Sequence, residues 1–472
     1  MTSQTEIRLL LRPEVLFVPA ANPDRPAPAH VLNNFVLEAL GRTSGSELVR
    51  RLSRAGNATD VLVAHPGVAR AAWSTNRATV SALASDIRTV FDPDRRVFPS
   101  EGSPIPIDWR LATPDRSDDG FGAALWRSLP TESRPSVAGR LHRLLDTEAQ
   151  SDPASRLARF VLLAAGDGVG TIERHEAASA NPPLGRALDR MLTGLMTDAS
   201  GARRLELVRE LAVLLYFSAV LGVISEGTRH VVPDGNLADL IGAVVYTGLP
   251  PGPPDDPLVR AAQLSYRKLV SRAHTGLREA LGSQVAAGID PAIPEDVRLQ
   301  SWALARLRNA PAENADRSLL RLQADIPFVG ADGVRSPDEW VAAAFETGYS
   351  VEHLTRAVRV MGTKVGFVGP VRGIGRPRFV LETPLLATIT RSLVQPDNSV
   401  PFHEFVVRAR ERLGLIIGGS RLEDLPLGAM VFPSERVARQ QLAALEERLR
   451  IRMIQAGLAR EFSDDHTQVF AE

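Results

Sequence analysis

PLLATITRSLVQPDNSVPFHEFVVRARERLGLII (residues 384–417) and PSERVARQQLAALEERLRIRMIQAGLAREFSDDHTQVF (residues 433–470) are the segments around which this chain is organised. Three helix starts are marked by Thr383 followed by Pro384, by Ser399 with Pro401, and by Ser434. Apolar residues at helical spacing follow each start. After Gly457, two alternating runs flank an acidic turn, a pattern typical of a β-hairpin. The sequence therefore predicts three helices followed by a hairpin.

This order of elements resembles the winged-helix family. In that family the third helix enters the major groove and the hairpin lies on the phosphates. The third helix here places Arg436, Arg439 and Arg450 on a different face from its apolar residues, so the resemblance implies that these arginines contact DNA. Two alternatives remain open: a solvated helix surface, and a domain that docks protein. Four acidic residues favour these two alternatives, because their negative charges would repel phosphate: Glu446, Glu447, Asp464 and Asp465.

Composition limits the chemistry of the chain. Its 55 basic and 55 acidic residues give a formal net charge of zero, so any nucleic-acid site must be a local patch. Only Lys268 and Lys364 are lysines, which removes most Schiff-base chemistry and a Walker lysine. The chain has no cysteine, which excludes disulfides, zinc knuckles, iron–sulfur ligation and thiol catalysis.

The sequence indicates a cytoplasmic protein without a membrane span. No basic region precedes a hydrophobic one at the start, as it would in a signal peptide. The most apolar run, residues 211–225, is shorter than the roughly twenty residues that cross a bilayer. We expect this run to be a buried core helix.

Four regions are predicted in a mainly α, multidomain helical scaffold with a small N-terminal α/β portion and a C-terminal winged-helix-like domain. Residues 7–11 and 15–18 are short apolar runs split by Arg12-Pro13, which favours a hairpin or two edge strands. Proline-rich residues 248–257 mark either a domain boundary or, as we favour, a rigid loop. The predicted regions are 1–117 (mixed α/β), 118–325 (helical), 326–382 (a helical pair and a basic segment) and 383–472 (winged-helix-like). The two helices of the pair are predicted to start at Ser336 and Ser350.

The most basic stretch of the chain is residues 362–378, GTKVGFVGPVRGIGRPR. It carries Lys364, Arg372, Arg376 and Arg378 among five glycines and has no acidic residue. Because glycine lets a backbone approach a ligand closely, this segment is a second candidate for phosphate contact. The alternative is an arm or hairpin that packs on a partner chain.

Motifs for catalysis are mostly absent from the sequence. The nine histidines are dispersed, and no pair has the i, i+4 spacing of a zincin helix. The glycine-rich residues 166–170 match neither the dinucleotide nor the Walker pattern, which favours a turn. His175 beside Glu173 and Glu176 is the best local acid–base cluster, although a solvated helix surface explains it more simply. We therefore expect no catalytic residue, metal or cofactor.

A further resemblance covers about the last hundred residues and rests on the spacing of ordinary residues. This part is similar to the C-terminal end of accessory proteins in bacterial anti-phage defence systems, which are built around a translocating ATPase or a DNA-modification-dependent restriction complex. The resemblance implies a non-catalytic subunit that helps hold DNA for partner proteins such as an ATPase or a nuclease. The alternatives are a protein-binding adaptor and an unrecognised enzyme. The residues that carry the resemblance are Arg378-Phe379, Leu385-Leu386, residues 402–405 and 413–417, Gly457-Leu458 and Ser463-Asp464.

Overall fold

A computed structural model gives the architecture of the chain, which is mainly helical. It describes residues 24–41, 58–64, 76–82, 106–112, 118, 120–165, 181–197, 203–232, 235–248, 256–309, 315–330, 333–370, 375–394, 398–419, 431–462 and 466–471, with the single residues Ile7, Leu10, Leu11, Phe17, Leu48 and Arg51. The helices are α1 Pro28–Ala39, α2 Ala58–Ala64, α3 Phe121–Ser128, α4 Arg134–Leu144, α5 Pro153–Ala165, α6 Pro182–Leu195, α7 Arg204–Val231, α8 Leu237–Ile241, α9 Pro257–Gly288, α10 Glu295–Asn309, α11 Ala315–Asp325, α12 Pro337–Gly348, α13 Val351–Lys364, α14 Thr383–Leu393, α15 Phe402–Leu413 and α16 Glu435–Gln455. The strands are β1 Ala243–Val244, β2 Val329–Gly330, β3 Gly333–Val334, β4 Val368–Gly369, β5 Arg378–Phe379, β6 Ser399–Pro401, β7 Leu415–Ile416, β8 Ala459–Glu461 and β9 Thr467–Phe470.

Two long helices, α7 and α9, form the centre of the molecule and pack against each other. Helix α7 is the one described helix that is long and apolar enough to cross a membrane, and 89% of its most apolar window is buried inside the protein. That burial is typical of the core helix of a soluble protein. The prediction of a buried core helix is confirmed. The helix α7 is longer than the apolar run at residues 211–225.

The N-terminal region differs from its prediction. Ile7, Leu10 and Leu11 are helical and fully or almost fully buried, so the expected strand at residues 7–11 is wrong at these positions. The reason is their i, i+3, i+4 spacing, which places them on one face of a helix. No strand occurs among the described residues of 1–117. The second predicted strand, at residues 15–18, lies outside the described residues except for Phe17, so the α/β character of this region stays a prediction.

Several predicted helix starts are confirmed by their caps. Ser336 accepts a hydrogen bond from Glu339 N, and Glu339 returns one to Ser336 N, which completes a capping box. Ser350 and Ser434 accept from the backbone three residues on, as an N-cap serine should. Gly414 ends α15 with a φ of 69°, a conformation that glycine adopts without strain.

The C-terminal region has three helices and a hairpin in the predicted order. Its sheet also contains β6, which the sequence analysis missed because it assigned Ser399 to a helix start. The strand order is β6-β9-β8, and both pairings are antiparallel. Strand β6, which lies between α14 and α15, therefore pairs with β9, the last strand described.

Strand pairs tie this region to the middle of the chain. Ala243 pairs with Leu415 and Val244 with Ile416 in the parallel pair β1–β7. Tyr246 forms a parallel bridge to Val380 next to β5. One cluster of buried apolar residues extends from Ile7 to Val469. The division into four regions remains a prediction.

Candidate nucleic-acid interface

The basic segment begins with a lysine that faces inward. Lys364, at the end of α13, donates from Nζ to the backbone oxygens of Asp24 at 2.5 Å and Pro26 at 2.6 Å. Burial lowers the pKa of Lys364 to about 8, although the charge of Asp24 opposes the shift. Lys364 therefore anchors the chain before α1, and its ammonium group is already occupied.

The rest of this segment forms the β4–β5 hairpin. Arg376 is exposed, whereas Arg378 is buried, with its guanidinium carbon 5.6 Å from the centre of the Tyr246 ring. Burial lowers the pKa of Arg378. Arg372 lies outside the described residues. Of the two described arginines in this segment, Arg376 is therefore the more accessible to solvent.

The predicted arginines of α16 lie on the outer face of the helix, but acidic residues neutralise two of them. Arg439 pairs with Glu435 one turn earlier, and both side chains are exposed. Arg450 pairs with Glu447 at 2.8 Å and with Glu461 on β8 at 2.7 Å. Within the described part of the chain, Arg436 is exposed and has no ion-pair partner. Arg436 is therefore the best placed of the three to contact an anion.

The inner face of α16 carries two further arginines that the sequence analysis did not select. Arg448 pairs with Asp256, and its guanidinium carbon lies 5.9 Å from the centre of the Tyr246 ring. Arg452 is buried; it donates from Nη1 to Thr247 O at 3.4 Å and from Nη2 to Thr383 Oγ1 at 3.3 Å. Burial lowers the pKa of Arg452, and the charge of Glu382 opposes the shift.

Tyr246 brings the two predicted basic elements together. Arg378 from β5 and Arg448 from α16 both lie within cation–π distance of its ring. The hairpin and α16 therefore border the same small region, which also includes Arg452. The i, i+4 spacing of Arg448 and Arg452 was the available signal in the sequence, because it places both on one helix face.

Residues 166–170 and the cluster around His175 lie outside the described residues. Over the described ranges, no group of three or more histidine, aspartate or glutamate residues could hold a metal ion. Comparison with models of known protein families and with curated proteins finds no match to this chain.

Proposed function

We propose that this protein is a non-catalytic, cytoplasmic subunit of a bacterial anti-phage assembly and that it contacts duplex DNA. Its partners in this proposal are other subunits, such as an ATPase or a nuclease. The C-terminal region acts as a winged-helix domain, with α16 as its third helix and β8–β9 as its wing. The order α14, β6, α15, β7, α16 and the β8–β9 hairpin, with β6 paired to β9, supports this assignment.

The observation that carries the proposal is the shared contact of β5 and α16 with Tyr246. It sets the hairpin that carries the exposed Arg376 beside the C-terminal half of α16, and the exposed Arg436 lies about 18 Å earlier along the same helix. Arginine guanidinium groups are suited to phosphate oxygens because their donors form a planar fork. Exposed arginines at this spacing can contact separate phosphates of a duplex even though the whole chain is neutral.

The test is a fluorescence-anisotropy titration of labelled duplex DNA with the full chain across a salt series. Each phosphate contact adds about 0.9 to the slope of log affinity against log salt. We expect the double variant Arg376→Gln/Arg436→Gln to reduce that slope by about two. The matched control is Arg308→Gln, because Arg308 is exposed on α10, away from the hairpin and α16. No binding at about 50 mM salt, or an equal loss in the control, would contradict DNA contact.

A second function is favoured by the outer surface of the C-terminal region. Ile451 and Phe462 are 44% and 51% exposed, and the adjacent Arg450 is neutralised by two glutamates. Apolar side chains beside compensated charges are more typical of a surface that docks protein than of one that binds phosphate. If the intact chain does not bind duplex DNA, the protein is better described as an adaptor whose winged helix docks a partner subunit.

A further inference from the structure

A cavity of about 320 Å³, open to solvent, lies beside the C-terminal half of α16. Its walls come from the chain after β1, from the residue that caps α9, and from the C-terminal half of α16. Small-molecule sites in proteins usually measure about 300–1,000 Å³. The cavity is therefore large enough for a small organic ligand. The residues used below are Tyr246, Thr247, Gly248, Asp256, Arg448 and Arg452.

Arg452 is the unusual member of the lining. It is 6% exposed, yet both of its hydrogen bonds exceed 3.2 Å, the usual upper limit for a nitrogen donor and an oxygen acceptor. Its Nε is buried and has no hydrogen-bond partner among the described residues. A guanidinium has five N–H donors, so most of those on Arg452 are poorly satisfied. A buried cation in this state is unfavourable unless an acceptor binds to it.

Arg448 is the second basic residue of the cavity; it stands on the rim and is paired with Asp256. Asp256 also binds the backbone, because its Oδ1 accepts from Leu258 N at 2.9 Å. The Tyr246 hydroxyl points toward Gly248, where an added methyl carbon would lie 2.4 Å from the hydroxyl oxygen. The cavity thus offers donors from two guanidinium groups and a phenol, with Asp256 paired to Arg448 and the charge of Glu382 acting on Arg452.

We propose that this cavity binds the phosphoryl group of a small phosphorylated molecule, held by Arg452 and Arg448 with Tyr246 beside them. A phosphoryl group supplies three acceptor oxygens, which match the unsatisfied donors of Arg452 and the fork of Arg448. The cavity holds more than a free phosphate ion, so the ligand is a phosphate ester. This site goes beyond DNA contact and does not depend on it.

The experiment measures the melting temperature of the full chain with inorganic phosphate or adenosine monophosphate, against sodium chloride at equal ionic strength. At ten times its dissociation constant, a ligand of a chain this long raises the melting temperature by about 1–2 °C. We expect the rise with adenosine monophosphate to be present in the wild type and in Arg308→Gln, which replaces an exposed arginine on α10. It should be lost in Arg452→Gln and in Arg448→Gln, with at least about tenfold weaker binding in calorimetry.

Each outcome decides the proposal. If Arg452→Gln fails to fold, Arg448→Gln carries the test, since Arg448 lies on the rim. The proposal is overturned if sodium chloride raises the melting temperature equally, or if both variants retain the rise. Excess duplex DNA separates the two sources of phosphate. We expect it to leave adenosine monophosphate binding unchanged, whereas displacement would assign the cavity to the DNA backbone and overturn the small ligand.

Discussion

Gly227 on α7 faces the backbone of Ala273 on α9 so closely that a methyl carbon at position 227 would lie 1.9 Å from Ala273 O. No side chain can fit this crossing without movement of one helix. The packing at the centre of the fold therefore requires glycine at position 227, because a side chain there would occupy the space of the neighbouring helix. Gly194 on α6 has the same relationship to Ser392 O on α14, at 2.3 Å.

We expect Gly227→Ala to lower the free energy of unfolding by about 2–3 kcal/mol, because overpacking forces backbone shifts between two central helices. Gly139→Ala is the matched control, since Gly139 is exposed on α4 and nothing lies within 4 Å of the added carbon. That change should raise stability by about 0.5–1 kcal/mol through helix propensity. Urea denaturation measures both, and equal effects would rule out the close crossing.

Glu226 gives a prediction at acid to neutral pH. It is fully buried on α7, paired with Arg229 at 2.6 Å and bonded by Asn181, and burial raises its pKa above the ordinary 4.5. Between 4.5 and the raised pKa the folded chain holds a proton that the unfolded chain has lost, so stability falls as pH rises. We expect wild type to lose stability relative to Glu226→Gln between pH 5 and pH 8 in urea titrations. A constant difference between the two chains would contradict this.

Lys364 gives the opposite dependence at alkaline pH. Its pKa of about 8 lies below the ordinary 10.5, so between these values the unfolded chain keeps a proton that the folded chain releases. Stability therefore rises with pH in this window. Relative to Lys364→Met, wild type should gain about 1 kcal/mol from pH 7.5 to pH 9.5, after allowance for the partial solvent screening of this side chain. Thermal melts at the two pH values test this, and parallel behaviour of both chains would refute it.

Under the DNA-binding proposal, removing the ion-pair partners of Arg450 should strengthen binding to DNA. Glu447→Gln/Glu461→Gln removes both carboxylate partners and leaves the exposed side of α16 more positive. We expect tighter binding to duplex DNA and an increase of about one in the salt slope. Glu435→Gln is a useful comparison, because it releases Arg439 alone. Unchanged affinity in the double variant would place the DNA contact away from α16 and favour protein docking.

The sequence predicted the helices well where a cap coincides with apolar periodicity, as at Ser336, Ser350 and Ser434. It missed β6, because a three-residue strand has too few positions to show a period of two. Its membership of the sheet depends on Val469, which pairs with Val400. Short strands are defined by their partners, and a local pattern does not contain that information.

The candidate site was predicted only in part, for a related reason. The arginine-rich character of α16 and of the β4–β5 hairpin was visible in the sequence. Arg450, on the face away from the apolar residues, was selected and stays a prediction. Arg452 was not selected, because helical spacing alone does not show that an arginine beside the apolar stripe is buried. The position of Tyr246 between the two elements follows from its bridge to Val380, a pairing between distant segments.

The parallel pair β1–β7 has a consequence for how the protein is made. Ala243 leaves the ribosome long before Leu415, its partner in the pair, and Thr247 long before Leu445, whose backbone oxygen accepts from the Thr247 hydroxyl at 3.0 Å. During synthesis this strand edge has no native partner, and pairings between distant segments form slowly. The native pairing of β1 therefore waits until β7 has been made, and a translation product that stops before β7 keeps an open edge that can pair with another chain.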